Sequence, residues 1–186
     1  MKKQKILVTG GAGFIGSHLC RALLKRNYKV VCVDNLISGS IRNIEDILEH
    51  PNFRFKKHDI IQPFYFKRLD YIYNLACLAS PKFYQKHPLQ TLRTCFIGLE
   101  NVLQLALETG ARILQTSTSE IYGNPNKSPQ NEEYFGNVNS FGPRACYDEG
   151  KRVAETLMYE YKKLGVQIRV ARIFNTYGPG LHPEDG

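Results

Sequence analysis

A glycine-rich turn set between a strand and a helix constrains this chain more than any other feature. Residues 9–16 read Thr-Gly-Gly-Ala-Gly-Phe-Ile-Gly. They follow the strand-like run Lys5-Ile6-Leu7-Val8 and open a helix-like run over 17–25. Gly11, Gly13 and Gly16 spell G-x-G-x-x-G, and Gly10 tightens the same turn. A turn without Cβ atoms lets backbone N–H groups approach a pyrophosphate at the positive end of a helix. Asp34 closes the next strand-like run, 29–33, and stands 18 residues beyond Gly16. A carboxylate there can accept hydrogen bonds from both ribose hydroxyls and repel a 2′-phosphate. Strand, glycines, helix, strand and acid, in that order, point to NAD as the cofactor.

The rest of the chain keeps the alternation. Strand-like runs fall at 5–9, 29–33, 53–57, 70–75, 111–116 and 167–173, and helix-like runs at 14–26, 41–49, 88–109 and 146–164. Such alternation predicts an α/β fold with a parallel sheet, and the glycine turn after the first strand makes it a doubly wound Rossmann-like sheet in the order 3-2-1-4-5-6. Ligands in such sheets lie beyond the carboxyl ends of the strands. The stretch 123–144, rich in Asn, Pro and Gly, is too long for a simple connection and reads as a functional loop. Residues 177–186 read as a loop that stops in mid-course, so a C-terminal portion is expected to be missing.

Composition excludes several classes. The 186 residues can build one domain with a sizeable core, and no apolar run approaches a membrane span. The basic N-terminus runs straight into the glycine turn, without the apolar stretch of a signal peptide. A cytoplasmic location with no membrane partner is therefore expected. The net charge of +8 is uneven, +10 over residues 1–93 and −2 over 94–186. No basic run is interleaved with aromatics, so the positive half is read as suiting dinucleotides and nucleotide sugars rather than nucleic acid. The five cysteines form no C-x-x-C pair, and the five histidines are scattered, so no metal site is expected.

Tyr147 and Lys151 stand four apart at the start of a predicted helix, on one face. An ammonium beside the phenol, with a positive nicotinamide ring nearby, favours the phenolate. Such a tyrosine can take a proton from a hydroxyl while hydride leaves the same carbon. Ser117-Thr118-Ser119-Glu120 follows the fifth strand directly. A hydroxyl there can bond the reacting oxygen, and Glu120 is a candidate acid–base or substrate-orienting group.

With these motifs in place, the chain resembles the extended short-chain dehydrogenase/reductases that act on nucleotide sugars, and among them the UDP-glucuronate decarboxylases. The stretches that carry the resemblance are Ala79-Ser80-Pro81 with Tyr84, Ser117 to Gly123, Gly142 to Arg152, and Ala171 to Pro179. It implies a redox-neutral cycle: NAD oxidises C4 of the glucuronate ring, CO₂ leaves the 4-keto intermediate, and C4 is reduced again to give UDP-xylose. Tyr147 would be base and then acid, Lys151 its electrostatic partner and Thr118 the hydroxyl that orients O4. Glu120 would orient the ring or assist proton traffic at C5.

The resemblance also implies a cofactor site and a substrate site. Gly10, Gly13, Phe14, Ile15, Asp34, Asn35, Ser38 and Gly39 would surround adenosine and pyrophosphate. Asp59 and Ile60 would hold the adenine. Leu75, Thr94 and Thr116 would line the groove, with Tyr147, Lys151 and Thr176 near the nicotinamide. Tyr65, Tyr84, Arg93, Asn101, Tyr161 and Asn175 would contact the nucleotide sugar. Residues 1–186 would then be an NAD-binding domain with part of the substrate loops, the family's C-terminal substrate domain being absent, and the assembly a homodimer. Cys95, Ser140 and Gly180 depart from the family, which usually has Asn, Pro and Arg there.

Three other readings compete. The 4,6-dehydratases resemble Thr-Asp-Glu at the site, and Ser119 is too weak an acid for their dehydration. The 4-epimerases resemble Ser-Ala-Thr and lack the glutamate. A non-catalytic NAD-binding or regulatory domain, or an inactive fragment, is the third; the intact Thr118, Tyr147 and Lys151 argue against decay, and the abrupt end argues for a fragment.

Overall fold

The computed structural model describes residues 3–181 of the chain, so the end of the expected terminal loop, residues 182–186, lies outside the described residues. Six strands form one sheet: β1 (Lys5–Thr9), β2 (Lys29–Asp34), β3 (Phe53–Lys57), β4 (Tyr71–Asn74), β5 (Arg112–Thr118) and β6 (Ile168–Ile173). All pair in parallel, in the order β3-β2-β1-β4-β5-β6 that the alternation and the glycine turn together predict. The helices are α1 (Phe14–Lys25), α2 (Pro81–Lys86), α3 (Pro88–Arg93), α4 (Leu99–Thr109) and α5 (Ala145–Lys163).

The central strands β1 and β2 are near-continuous apolar runs because both of their faces are covered. Successive side chains point to opposite faces, so each run divides between two cores. Ile6, Val8, Val30 and Cys32 pack with Cys20, Leu23 and Leu24 of α1. Leu7, Val31, Val33, Ile72 and Ile113 pack with Leu99, Val102 and Leu103 of α4 and with Ala154 and Met158 of α5. The register sets Thr9 level with Val33 and with Asn74, and Thr118 level with Ile173. The carboxyl ends of five strands thus open on one side, where the loops carrying the candidate site emerge.

The structure corrects three expectations. The helix over 41–49 is two 3₁₀ turns, Ile41–Asn43 and Glu45–Ile47. Its polar groups serve the glycine turn instead: Asn43 Nδ2 and the Ser40 N–H both donate to the Ala12 carbonyl, at 2.8 and 3.0 Å. Ile44 and Ile47, three apart, suit a three-residue turn and reach the α1 core. The helix over 88–109 is interrupted by a π turn, Thr94–Gly98, between α3 and α4. A further short helix, α2, precedes it where no helix-like run is expected. Pro81 starts α2 and Pro88 starts α3, each proline sitting where a helix needs no N–H donor.

Candidate active site

One open cleft of about 510 Å³ runs along the carboxyl ends of the strands. The glycine turn forms one end. Gly10 has φ +67°, and a Cβ on it would lie 2.8 Å from the Ala76 backbone. Gly13 caps the start of α1 and offers no side chain to its N–H groups, and no acid stands in the first turn, which leaves those N–H groups to a ligand. Asp34 is buried at the end of β2, where its carboxylate accepts from the Ala12 N–H at 3.0 Å and the Leu36 N–H at 2.8 Å. Burial pushes its pKa up, and those two donors pull against the shift. A Cβ at Gly39 would lie 2.9 Å from the same carboxylate. These residues fit a dinucleotide: bare backbone stands where phosphates would press, and a fixed acid stands one strand away.

The middle of the cleft is held by buried polar groups that the motifs alone do not single out. Thr9 Oγ1 donates to Asn74 Oδ1, and Asn74 Nδ2 to Gln115 Oε1 at 2.6 Å. Gln115 Nε2 then donates to the Thr116 carbonyl at 2.9 Å. That carbonyl also accepts from Lys151 Nζ at 3.0 Å. A chain of hydrogen bonds across β1, β4 and β5 thus ends on the lysine. The signal in the sequence is polar residues, Asn74 and Gln115, inside otherwise apolar strands, where unpaired groups would be costly.

At the far end, α5 brings Tyr147 and Lys151 to one face, with the ammonium 5.7 Å from the ring centroid. The Tyr147 phenol and the Thr118 hydroxyl both line this end of the cleft, and Thr118 Oγ1 accepts from the Glu120 N–H at 3.2 Å. Burial raises the phenol's pKa, with the Lys151 charge opposing it. Burial alone would depress the lysine, but the Cys77 and Tyr147 groups beside it hold its pKa above the ordinary value. The Tyr147 ring stacks on Tyr84, centroids 5.0 Å apart and planes 8° from parallel. Glu120 is ion-paired with Arg144, another cleft residue that sequence reasoning does not place.

Most of the expected residues come together. Gly10, Gly13, Phe14, Ile15, Asp34, Asn35, Ser38, Gly39, Asp59, Ile60, Leu75, Thr94, Thr116, Thr118, Glu120, Tyr147, Lys151 and Thr176 all line the cleft, as do Tyr84 and Asn175. Tyr65, Arg93, Asn101 and Tyr161 do not. Tyr65 is 77% exposed on the β3–β4 connection, and Arg93 is exposed at the end of α3. Asn101 donates to the Ile60 and Ile61 carbonyls, both at 2.9 Å, so it fixes the Asp59–Ile60 segment from behind. Tyr161 packs against the α4–α5 core.

A model of the NAD dependent epimerase/dehydratase family matches residues 6–186. The chain belongs to that family. It is 54% identical over 185 residues to UDP-glucuronic acid decarboxylase 1 of Xenopus tropicalis, covering 99% of this chain and 44% of the relative. It is also 54% identical to UDP-glucuronic acid decarboxylase 6 of Arabidopsis thaliana, covering 98% of this chain and 54% of the relative. The chain thus spans about half the length of the curated relatives it matches. Among solved structures it is similar to DesIV, a dTDP-glucose 4,6-dehydratase from Streptomyces venezuelae with NAD bound. That match has a TM-score of 0.85 at 28% identity, over 97% of this chain and 59% of the other. A UDP-galactose 4-epimerase superposes with a TM-score of 0.83 at 30% identity, over 96% of this chain and 58% of the other.

One neighbour of the Tyr147–Lys151 pair makes stability depend on pH. Asp148 is buried, and its Oδ1 has no hydrogen-bond partner among the described residues. Burial, opposed by Arg144 and reinforced by Glu120 and Glu149, pushes its pKa up to about 6. The native state then holds the proton more tightly than the unfolded chain does, whose aspartate titrates at about 3.9. The cost of ionisation is absent below about pH 4 and complete above about pH 6, so stability falls across that window as pH rises. Asp148→Asn removes the charge at similar size. Thermal unfolding should show the variant more stable than the parent at pH 8 and equal to it at pH 4.

Proposed function

We propose that this chain is the cofactor-binding and catalytic half of a UDP-glucuronate decarboxylase. The observation that carries the reading is Thr118, Tyr147 and Lys151 meeting at one end of a glycine-lined cleft, with Ser119-Glu120 directly beyond the threonine. Gly10, Gly13, Asp34 and Asp59 would hold NAD along the cleft, and the bound cofactor would take up and return the hydride at C4 of the sugar. Thr118 orients the C4 oxygen. Tyr147 removes the proton from that hydroxyl and later gives it back. Lys151, anchored on the Thr116 carbonyl, stabilises the phenolate through its charge. A carboxylate β to the resulting ketone can leave as CO₂, because the ketone oxygen takes up the electrons. Glu120, held by Arg144, lies beside Thr118 and suits proton delivery at C5. Tyr84 and Asn175, which line the same cleft, would contact the sugar nucleotide.

A homodimer is supported by exposed apolar side chains along α3, the π turn and α4: Leu89, Phe96, Ile97 and Leu107. Residence in the cytoplasm is supported by five free cysteines, a pattern typical of reducing compartments. Among the described residues no helix is long and apolar enough to cross a membrane.

The test is product analysis by mass spectrometry after incubation with NAD⁺ and UDP-glucuronate. The expected product is a UDP-pentose, lighter than the substrate by the mass of CO₂. An isomer of equal mass would indicate epimerisation, and loss of water dehydration; either overturns the reading. Unchanged substrate with NAD demonstrably bound would overturn it for this chain and leave a cofactor-binding unit.

A further inference from the structure

Two cysteines meet beside the catalytic lysine, and nothing in the reaction uses them. Cys77 lies three residues beyond β4 and lines the cleft. Cys95 sits in the π turn between α3 and α4, where it is 4% exposed. Their sulfurs are 3.5 Å apart. Cys95 also presses on α5: a Cβ on Gly150 would lie 3.2 Å from its sulfur, and Lys151 is the next residue. We propose that Cys77 and Cys95 are a redox-active thiol pair, closed to a disulfide by a low-molecular-weight disulfide that enters through the cleft.

The two thiols are matched to different roles. Hydrogen bonding from Cys95, with help from the Lys151 charge, pulls the Cys77 thiol down to about 7 against the effect of burial. The same hydrogen bond and burial push the Cys95 thiol up. A thiolate is the attacking species in exchange. The Cys77 thiolate attacks one sulfur of a glutathione disulfide, forming a mixed disulfide and expelling one glutathione thiolate. Cys95 then gives up its proton and attacks the Cys77 sulfur, expelling the second glutathione thiolate. Two protein thiols are oxidised, one small disulfide is reduced to two thiols, and the protons leave with them. The closed bridge removes the thiolate that faces Lys151. It is independent of the sugar the enzyme uses.

The experiment is incubation of the chain with oxidised glutathione, alkylation of the remaining thiols, and peptide mapping by mass spectrometry. The expected result is loss of two of the five free thiols, recovered as a Cys77–Cys95 cross-linked peptide with no retained glutathione. Dithiothreitol should restore all of them, and saturating NAD should slow the loss, because Cys77 lines the cleft. In Cys95→Asn the resolving thiol is gone, so Cys77 should instead retain one glutathione. Cys146, whose sulfur contacts the Tyr84 carbonyl at 3.6 Å, is the alternative partner, and Cys146→Ser should leave the bridge intact. A full count of free thiols after oxidation, a Cys77–Cys146 bridge, or a stable glutathione on Cys77 in the parent would each overturn the proposal.

Discussion

Replacing Tyr147 with phenylalanine should cut turnover roughly 10²–10⁴-fold, the usual contribution of a positioned acid–base group, and leave NAD affinity nearly unchanged. The substitution removes one oxygen from a ring that is buried and stacked face to face on Tyr84 at 5.0 Å. A phenylalanine fills the same slot, so no cavity forms and α5 stays in place. Lys151 keeps its bond to the Thr116 carbonyl, and the glycine turn lies at the other end of the cleft. Lys151→Met removes the charge that favours the phenolate and should be comparably slow. Because the two residues act as a unit, the double variant should be little worse than either single one. CO₂ release from carboxyl-labelled UDP-glucuronate gives the rates, and calorimetric titration gives NAD affinity. Undiminished CO₂ release by the phenylalanine variant would remove Tyr147 from the mechanism and the family-type assignment of roles with it.

What can be read from the sequence is what local chemistry fixes. The parallel sheet follows from the alternation of runs, and its order from the glycine turn that follows the first strand. The spacing of Tyr147 and Lys151 is a property of one helix, and so is the spacing of the glycines within one turn. Residues whose role depends on distant partners are harder. Asn101 reads as a polar residue on a helix, and only the fold shows it bonded to carbonyls about 40 positions earlier. Tyr161 carries a hydroxyl, yet its ring is used for packing. The 41–49 segment has helical periodicity, but Ser40 and Asn43 direct their hydrogen bonds to the glycine turn. The contact between Cys77 and Cys95 joins a strand loop to a helix interruption, and neither the π turn nor the pairing has a local signature.

Gly16→Ala should cost both stability and the cofactor. A Cβ at this position would lie 2.2 Å from the Gly10 carbonyl oxygen and 2.7 Å from the Gly11 Cα. Both are backbone atoms of the turn, so no side chain can swing aside, and α1 must move away from β1. Overpacking of this kind costs about 1–3 kcal/mol or more. For a chain of this size each kcal/mol lowers the unfolding midpoint by roughly 2–4 °C. The displacement also separates the α1 N-terminus from the turn that shapes the pyrophosphate end of the cleft, so NAD binding should be lost. Gly110→Ala is the control that isolates this effect. Gly110 follows α4 with φ +69°, and a Cβ on it would have nothing within 4 Å. An alanine there carries only left-handed backbone strain, about 1–2 kcal/mol, far from the cleft. Calorimetric unfolding and NAD titration of both variants should therefore show two destabilised proteins, of which only the Gly110 variant binds the cofactor. If the Gly16 variant also binds NAD at parental affinity, the dinucleotide does not lie against this turn.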